Sequence, residues 1–496
     1  MPGEARLLAS GALLQGIAQG AGLLALLAIV TLLARRLSVV QLGAYGLVAS
    51  LAGYLLVLRN SVASSAVRAM AAARAPAERA RTFSAAAALY VVVGLATGAA
   101  IAAAALAIAG LILDGELAAD ARAGGLGLAA VTAVGIAVSV QLDGLRAERL
   151  FVASATVEIV SVGLYLALML ALILAGAGLA VVIAASGALP LLSGGLSLVV
   201  ARRRALPLRF VRGGVTRERS MTIVPTAGWL LVVELCNLVM YASGRMVLGA
   251  YRSPVAVGLY EGPVRAHNLL YALAGALAVP VVPTASGYVA TADERRLREL
   301  VVRGTRYTLA LFVPLCVTLI ALAGPVLEAW LGDRYGEGDL ALALLASYWL
   351  LYGGLVVTPG FLVGAGRARE LARIFIAVAA ANLVLAVVLT PELGLAGPAL
   401  ATALPFVAAF PLVLRIGVRA SGAGVSELAR GAWTPNYLLG AALAAALVAL
   451  RLALPVDDLA TVLAVGGGGM LGYWLVFYRL VLDAPERALV RGLVRR

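Results

Sequence analysis

The sequence predicts an all-α polytopic membrane protein with about 14 transmembrane helices, since each of its long apolar stretches is near the roughly 20 residues that a spanning helix needs. Composition and charge order both point there. Of 496 residues, 62% are hydrophobic and 13% charged, and mean hydropathy is +1.01, whereas soluble domains run near 25% charged. Arginine is concentrated in alternate gaps between the stretches. Counted from a cytoplasmic N-terminus, roughly 30 of the 39 cations fall inside and about 8 outside, the positive-inside bias that orients membrane proteins. Both termini are therefore expected in the cytoplasm of a multi-pass cell-membrane protein. The net charge of +14 does not indicate nucleic acid, because the cations sit in short loops. Anionic lipid headgroups of the inner leaflet are the expected partner.

The first apolar stretch covers residues 10–34, too long for a signal-peptide core, and the second 42–67. Arg68, Arg74, Arg79 and Arg81 follow the second. The third covers 84–113 and precedes an acidic gap with Asp114, Glu116 and Asp120. The fourth, 124–142, leads to Arg146 and Arg149. The fifth, 150–175, turns at Gly176 and Gly178 into the sixth, which ends near 201. The strongest basic loop follows, with Arg202, Arg203, Arg204, Arg209, Arg212, Arg217 and Arg219. The seventh and eighth cover 221–250 and 257–286, and Arg295, Arg296, Arg298, Arg303 and Arg306 come next. The ninth, 307–327, ends at outer acids that include Asp333 and Glu337. The tenth is 340–363, the eleventh 374–390, the twelfth 396–416, and a last pair covers 437–454 and 459–482. Short amphipathic pieces on the inner leaflet are expected near Arg81, Arg219 and Glu299. Pro280 and Pro283 are expected to kink the eighth span. Cys236 and Cys316 lie inside apolar stretches and read as buried structural thiols.

An internal repeat organises these spans. Ser38-Val39-Val40-Gln41-Leu42-Gly43-Ala44-Tyr45 recurs as Ser253-Pro254-Val255-Ala256-Val257-Gly258-Leu259-Tyr260, 215 residues later. Gly178-Leu179-Ala180 recurs as Gly394-Leu395-Ala396, 216 residues later. Six crossings separate the copies, so both enter the membrane in the same direction. The expected architecture is two six-helix lobes, 1–220 and 221–420, related by an axis along the membrane normal. An extra helix pair and a basic cytoplasmic tail, 421–496, follow. A cleft between two such bundles would open to either side by rocking.

The two-lobe pattern, the Ala34-Arg35-Arg36-Leu37-Ser38 exit with Leu42-Gly43-Ala44-Tyr45, and the Gly394 to Thr402 turn resemble the polysaccharide transporter family of the multidrug/oligosaccharidyl-lipid/polysaccharide exporter superfamily. The resemblance implies a flippase, not an enzyme, that moves polyprenyl-diphosphate-linked oligosaccharide across the cytoplasmic membrane by alternating access. O-antigen, capsule and exopolysaccharide units are all candidate cargo. The extra helix pair also resembles the lipid II flippase branch.

Ionisable residues within spans are costly and are read as functional by default. Arg59 and Asn60 lie in the second span, and Gln15 and Gln19 one turn apart in the first. Glu234, Asn237, Tyr241 and Arg245 share one face of the seventh. Glu261, Arg265 and Asn268 follow the same spacing in the eighth. The resemblance implies that these helices line the central cavity. Planar guanidinium groups hold phosphate oxygens bidentately, so Arg59, Arg245 and Arg265 are the diphosphate candidates. Asn and Gln suit sugar hydroxyls. Glu234 is the candidate for a coupling proton, with Glu158 read as structural.

The competing readings are a cation-coupled multidrug exporter of the same superfamily and a lipid II-type precursor flippase. Stretch 10–34 lacks the acidic residue such exporters carry in their first span. A polymerase or ligase would need a large outer loop, and each outer gap is short. Gly466 to Gly469 lacks the strand and the lysine of a phosphate loop and reads as a helix-packing surface. No cofactor and no metal site are expected, and His267 alone makes none. A monomer is expected, with glycosyltransferases or a polymerase of the same pathway as protein partners.

Overall fold

The structure is a computed structural model that describes residues 20–22, 25, 27–73, 75–223, 228–278, 281–365 and 367–494. Among these residues every regular element is helical. Two compact units are present, Met1–Gly258 and Leu259–Arg496.

In the first unit, α1 covers Val39–Ala72, α2 Pro76–Leu111, α3 Gly115–Ala147 and α4 Phe151–Leu174. The short α5, Leu179–Ala185, and α6, Ala188–Arg203, follow. They meet at a 45° bend around Ser186 and Gly187, a Ser/Gly pair of the kind that kinks helices. The sequence presents this stretch as a single sixth span, and the structure breaks it there. The unit continues with α7, Arg217–Ile223, and α8, Gly228–Tyr251. The next helix, α9, is Pro254–Ala278.

Close backbone approach holds α1 to α6 together. A Cβ on Gly94 of α2 would meet the Ala133 carbonyl oxygen of α3 at 2.5 Å, and one on Gly194 of α6 would meet the Val138 carbonyl carbon at 2.6 Å. Association of helices without a hydrophobic drive relies on such small-residue contacts. Around them Phe83, Tyr90, Ile136, Val140 and Leu145 form one buried core.

The second unit comprises α10, Val281–Ala290; α11, Glu294–Ala321; α12, Ala323–Leu331; and α13, Asp339–Tyr352. Then come α14, Val357–Gly364; α15, Ala368–Leu393; α16, Ala396–Ser421; and α17, Val425–Leu428. The last three are α18, Thr434–Ala453; α19, Leu459–Leu480; and α20, Ala484–Val494. The helix pair α18 and α19 is bolted to α11: Trp474 Nε1 donates to the Ala310 carbonyl at 2.8 Å. Tyr473 also donates to Asn436 Oδ1 at 2.7 Å. Within the four-glycine run, Cβ atoms on Gly466 and Gly469 would press on Thr318 and Leu443, while Gly467 and Gly468 have nothing within 4 Å. The tail helix α20 is anchored through Glu486, which accepts from Arg306 and Tyr307 of α11.

Nine segments among the described residues are long and apolar enough to cross a membrane, ten if the bent pair α5 and α6 counts as one. The chain is a multi-pass membrane protein. The first expected span lies mostly outside the described residues, as does the Val279–Pro280 junction between α9 and α10. Arg81 and Glu299 do not sit on separate amphipathic pieces. They belong to the opening turns of α2 and α11, where Pro76 at the first position and the Asp293 cap start the helix before the apolar run begins. Arg219 lies in α7, and the residues 224–227 that follow it are outside the described residues. Cys236 and Cys316 are free and buried.

Candidate functional site

Three helices of the first unit converge on one carboxylate. Ser139 and Asp143 lie four residues apart on α3, so both side chains leave the same face. Asp143 is 1% exposed. Its Oδ2 accepts from the Arg59 guanidinium of α1 and from the Tyr90 hydroxyl of α2, the latter at 2.7 Å. Its Oδ1 accepts from Arg146 at 2.8 Å. Arg146 passes the network on, donating to Glu158 Oε1 of α4 at 2.7 Å. The Arg59 guanidinium lies 5.7 Å from the Tyr90 ring centroid, within cation–π range.

All three nitrogens of Arg59 are engaged. Nε donates to Ser139 at 3.2 Å, Nη1 to Asn60 Oδ1 at 3.2 Å, and Nη2 to Asp143. Beside this network lies a cavity of about 290 Å³, whose polar lining is Arg59, Asn60, Ser139, Glu158, Ser161 and Ser193. Leu142, Val162 and Leu189 supply apolar wall. The hydroxyls of Ser139, Ser161 and Ser193 donate to helix carbonyls at Ile136, Val157 and Pro190. Their oxygens keep lone pairs for a ligand's donors. Glu158 Oε2 is buried without a hydrogen-bond partner.

Of the sequence candidates, Arg59 and Asn60 line this cavity. Asn237 and Arg245 are buried on α8 at 8% and 1% exposure, with Tyr241 half-buried between them. On α9, Arg265 Nε donates to the buried Glu261 at 3.1 Å, and Asn268 is half-buried. Gln15 and Gln19 lie outside the described residues, as does the Glu234 side chain. Glu158, read as structural, both pairs with Arg146 and lines the cavity. Sequence reasoning missed Asp143 and Tyr90. The available signal was Asp143 three residues before Arg146, but the apolar run stops at Leu142, and both looked like loop residues.

His267 sits between Tyr348 and Trp349, and its Nδ1 accepts the Trp349 indole N–H at 3.1 Å. The ring is thereby fixed as part of an aromatic cluster. No group of three metal-ligating side chains occurs among the described residues.

The fold is shared with known transporters. A structure of the lipid II flippase MurJ in an inward closed conformation superposes with a TM-score of 0.72 at 16% identity, covering 94% of this chain and 99% of that one. An inward-facing multidrug-resistance MATE transporter gives 0.67 at 17% identity, covering 83% and 98%. A transporter of this superfamily from Pyrococcus furiosus, described as having reversed binding-pocket polarity, gives 0.61 at 16% identity, covering 83% and 95%. No curated protein sequence matches the chain. The molecule is thus an all-helical polytopic protein with the MurJ- and MATE-like transporter fold. The family model for polysaccharide biosynthesis proteins matches residues 32–338, more than half of the 496 residues, and the chain belongs to that family.

Proposed function

We propose that this protein flips a polyprenyl-diphosphate-linked oligosaccharide from the inner to the outer leaflet of the cytoplasmic membrane for cell-surface polysaccharide export. The observation that carries this reading is the union of a polysaccharide-biosynthesis family match with a flippase-type fold. Alternating access, cytoplasmic termini, and the lobes 1–220 and 221–420 with the added segment 421–496 are parts of the same proposal.

Arg265 is the best-placed phosphate contact. Its Nε is tied to Glu261, while among the described residues its two terminal nitrogens make no hydrogen bond. The forked end is therefore available to two phosphate oxygens, a geometry lysine cannot copy. Asn268, one turn further along the same helix, is assigned to the same headgroup; Arg245, Asn237 and Tyr241 are kept as substrate-binding candidates, and Glu234 is assigned to ion coupling. Partner glycosyltransferases or a polymerase would supply and consume the cargo.

The test is reconstitution. Purified protein in liposomes is expected to move a lipid-linked oligosaccharide between leaflets. Arg265→Lys should keep the fold, by retaining a cation for Glu261, yet slow flipping several-fold. Wild-type rates in Arg265→Lys would remove the phosphate assignment, and no movement in the unmodified protein would remove the flippase reading.

A lipid II-type cargo is the second reading. It is favoured by the MurJ structure covering 94% of this chain where the MATE structure covers 83%, and rescue of cells depleted of their lipid II flippase would establish it.

A further inference from the structure

We infer that the cavity in the first unit is a subsite for an uncharged sugar residue, and that the diphosphate binds elsewhere. This rests on the flippase reading and assigns part of the cargo to a place.

Charge is the first argument. Arg59 and Arg146 face Asp143 and Glu158 in one connected network, two cations against two carboxylates. The site carries no net charge to attract a diphosphate. Each Arg59 nitrogen already donates to the protein, so three of its five N–H groups are committed, the Nη2 one to Asp143. A bidentate phosphate grip on its forked end would displace Asp143 and strand that carboxylate at 1% exposure, an uncompensated buried charge that disfavours the exchange.

Glu158 gives the second argument. Its Oε2 is an orphaned buried acceptor on a side chain that lines the cavity. A buried lone pair without a donor is destabilising, and a hydroxyl-bearing ligand relieves it. A phosphate ionised on every oxygen has no donor to offer and meets an unpaired negative atom, which selects against it.

Hydrogen-bonding capacity and size agree. The lining offers lone pairs on Ser139, Ser161 and Ser193. Asn60 is exposed, and with its Oδ1 held by Arg59 it presents a free amide donor. The C–H faces of a pyranose find the wall of Leu142, Val162 and Leu189. At about 290 Å³ the cavity sits near the low end of ligand pockets, roughly 300–1,000 Å³, enough for a single sugar unit rather than a chain.

The experiment uses the full-length protein in detergent and methyl glycosides of glucose, N-acetylglucosamine and rhamnose at tens of millimolar. Inorganic diphosphate and tetraethylammonium serve as charged probes. At least one glycoside should raise the thermal midpoint of the unmodified protein and slow maleimide labelling of Asn60→Cys several-fold. The buried Cys236 and Cys316 give little background. Glu158→Gln should weaken the glycoside effect several-fold. Protection of Asn60→Cys by diphosphate or tetraethylammonium, or none by any glycoside, overturns the assignment. A protein that flips lipid-linked oligosaccharide without glycoside protection loses only the subsite. One that binds glycosides but moves no lipid-linked cargo loses only the flippase reading.

Discussion

Asp143 shows how a single carboxylate organises a membrane-embedded site. It accepts from Arg59, Tyr90 and Arg146 at 1% exposure. Removing one partner of a buried pair leaves an uncompensated charge and costs about 3–5 kcal/mol. Asp143→Ala is therefore expected to lose that much in detergent-phase unfolding. The Arg59→Ala/Asp143→Ala double variant should cost clearly less than the two single changes added, because the second removal takes away a charge the first left stranded. Additive losses would mean the pair is uncoupled. The site was only half legible in the sequence. Arg59 and Asn60 declared themselves as polar groups in an apolar run. Asp143 did not, since its meaning depends on an arginine 84 positions away, and hydropathy ends its span one residue early.

At the scale of the helix, the repeat becomes a packing device. Ser38 caps α1, accepting from the Gln41 N–H at 3.2 Å, and its counterpart Ser253 accepts from the Ala256 N–H at 3.3 Å at the start of α9. The repeat-related glycines then meet reciprocally within the first unit. A Cβ on Gly43 would lie 1.8 Å from the Pro254 carbonyl oxygen, and one on Gly258 would lie 2.1 Å from the Val39 carbonyl oxygen. Gly43→Ala or Gly258→Ala forces two helix backbones apart and should cost at least about 1–3 kcal/mol. Gly53→Ala, on the same helix with nothing within 4 Å, should instead stabilise by about 0.4–1 kcal/mol. Thermal midpoints of the three variants decide the matter, and equal midpoints for Gly43→Ala and Gly53→Ala would contradict the close approach. Apolar runs located the helices well, because the bilayer and the helix demand the same segment. They failed at ends such as Pro76 and Glu294, where caps rather than lipid set the boundary.

Asp458 is a cap with a pH signature. It precedes α19 outside the spans and accepts from the Thr461 N–H at 2.7 Å. Hydrogen bonds from the Thr461 side chain and backbone hold its carboxyl below the usual carboxylate range. A lowered folded-state pKa means the contribution is complete above the unfolded value, about 3.9, and is lost as pH falls through the folded one. Hydrogen exchange in the first turn of α19 should accelerate relative to Asp458→Asn at the same pH once acidity passes below that range. An unchanged ratio across the titration would deny the cap its charge.

For the whole molecule, the arginine pattern and the bent α5–α6 pair test each other. Three crossings, by α3, α4 and the bent pair, separate Glu116 from Arg212 if the pair spans the membrane, which puts the two on opposite faces. A re-entrant pair would leave two crossings and the same face. The basic loop from Arg202 to Arg219 would then share its side with Asp114 and Glu116, against the tendency of arginine to stay cytoplasmic. The charge order therefore favours a full, broken span. Glu116 and Arg212 are both exposed, so cysteines there can be labelled. In intact cells a membrane-impermeant maleimide should modify Glu116→Cys, and Arg212→Cys only after permeabilisation. Glu337→Cys and Arg296→Cys, also exposed, should repeat the outer and inner pattern in the second half of the chain. Labelling of Glu116→Cys and Arg212→Cys from the same side would make the pair re-entrant, and would shift the side assigned to each later loop.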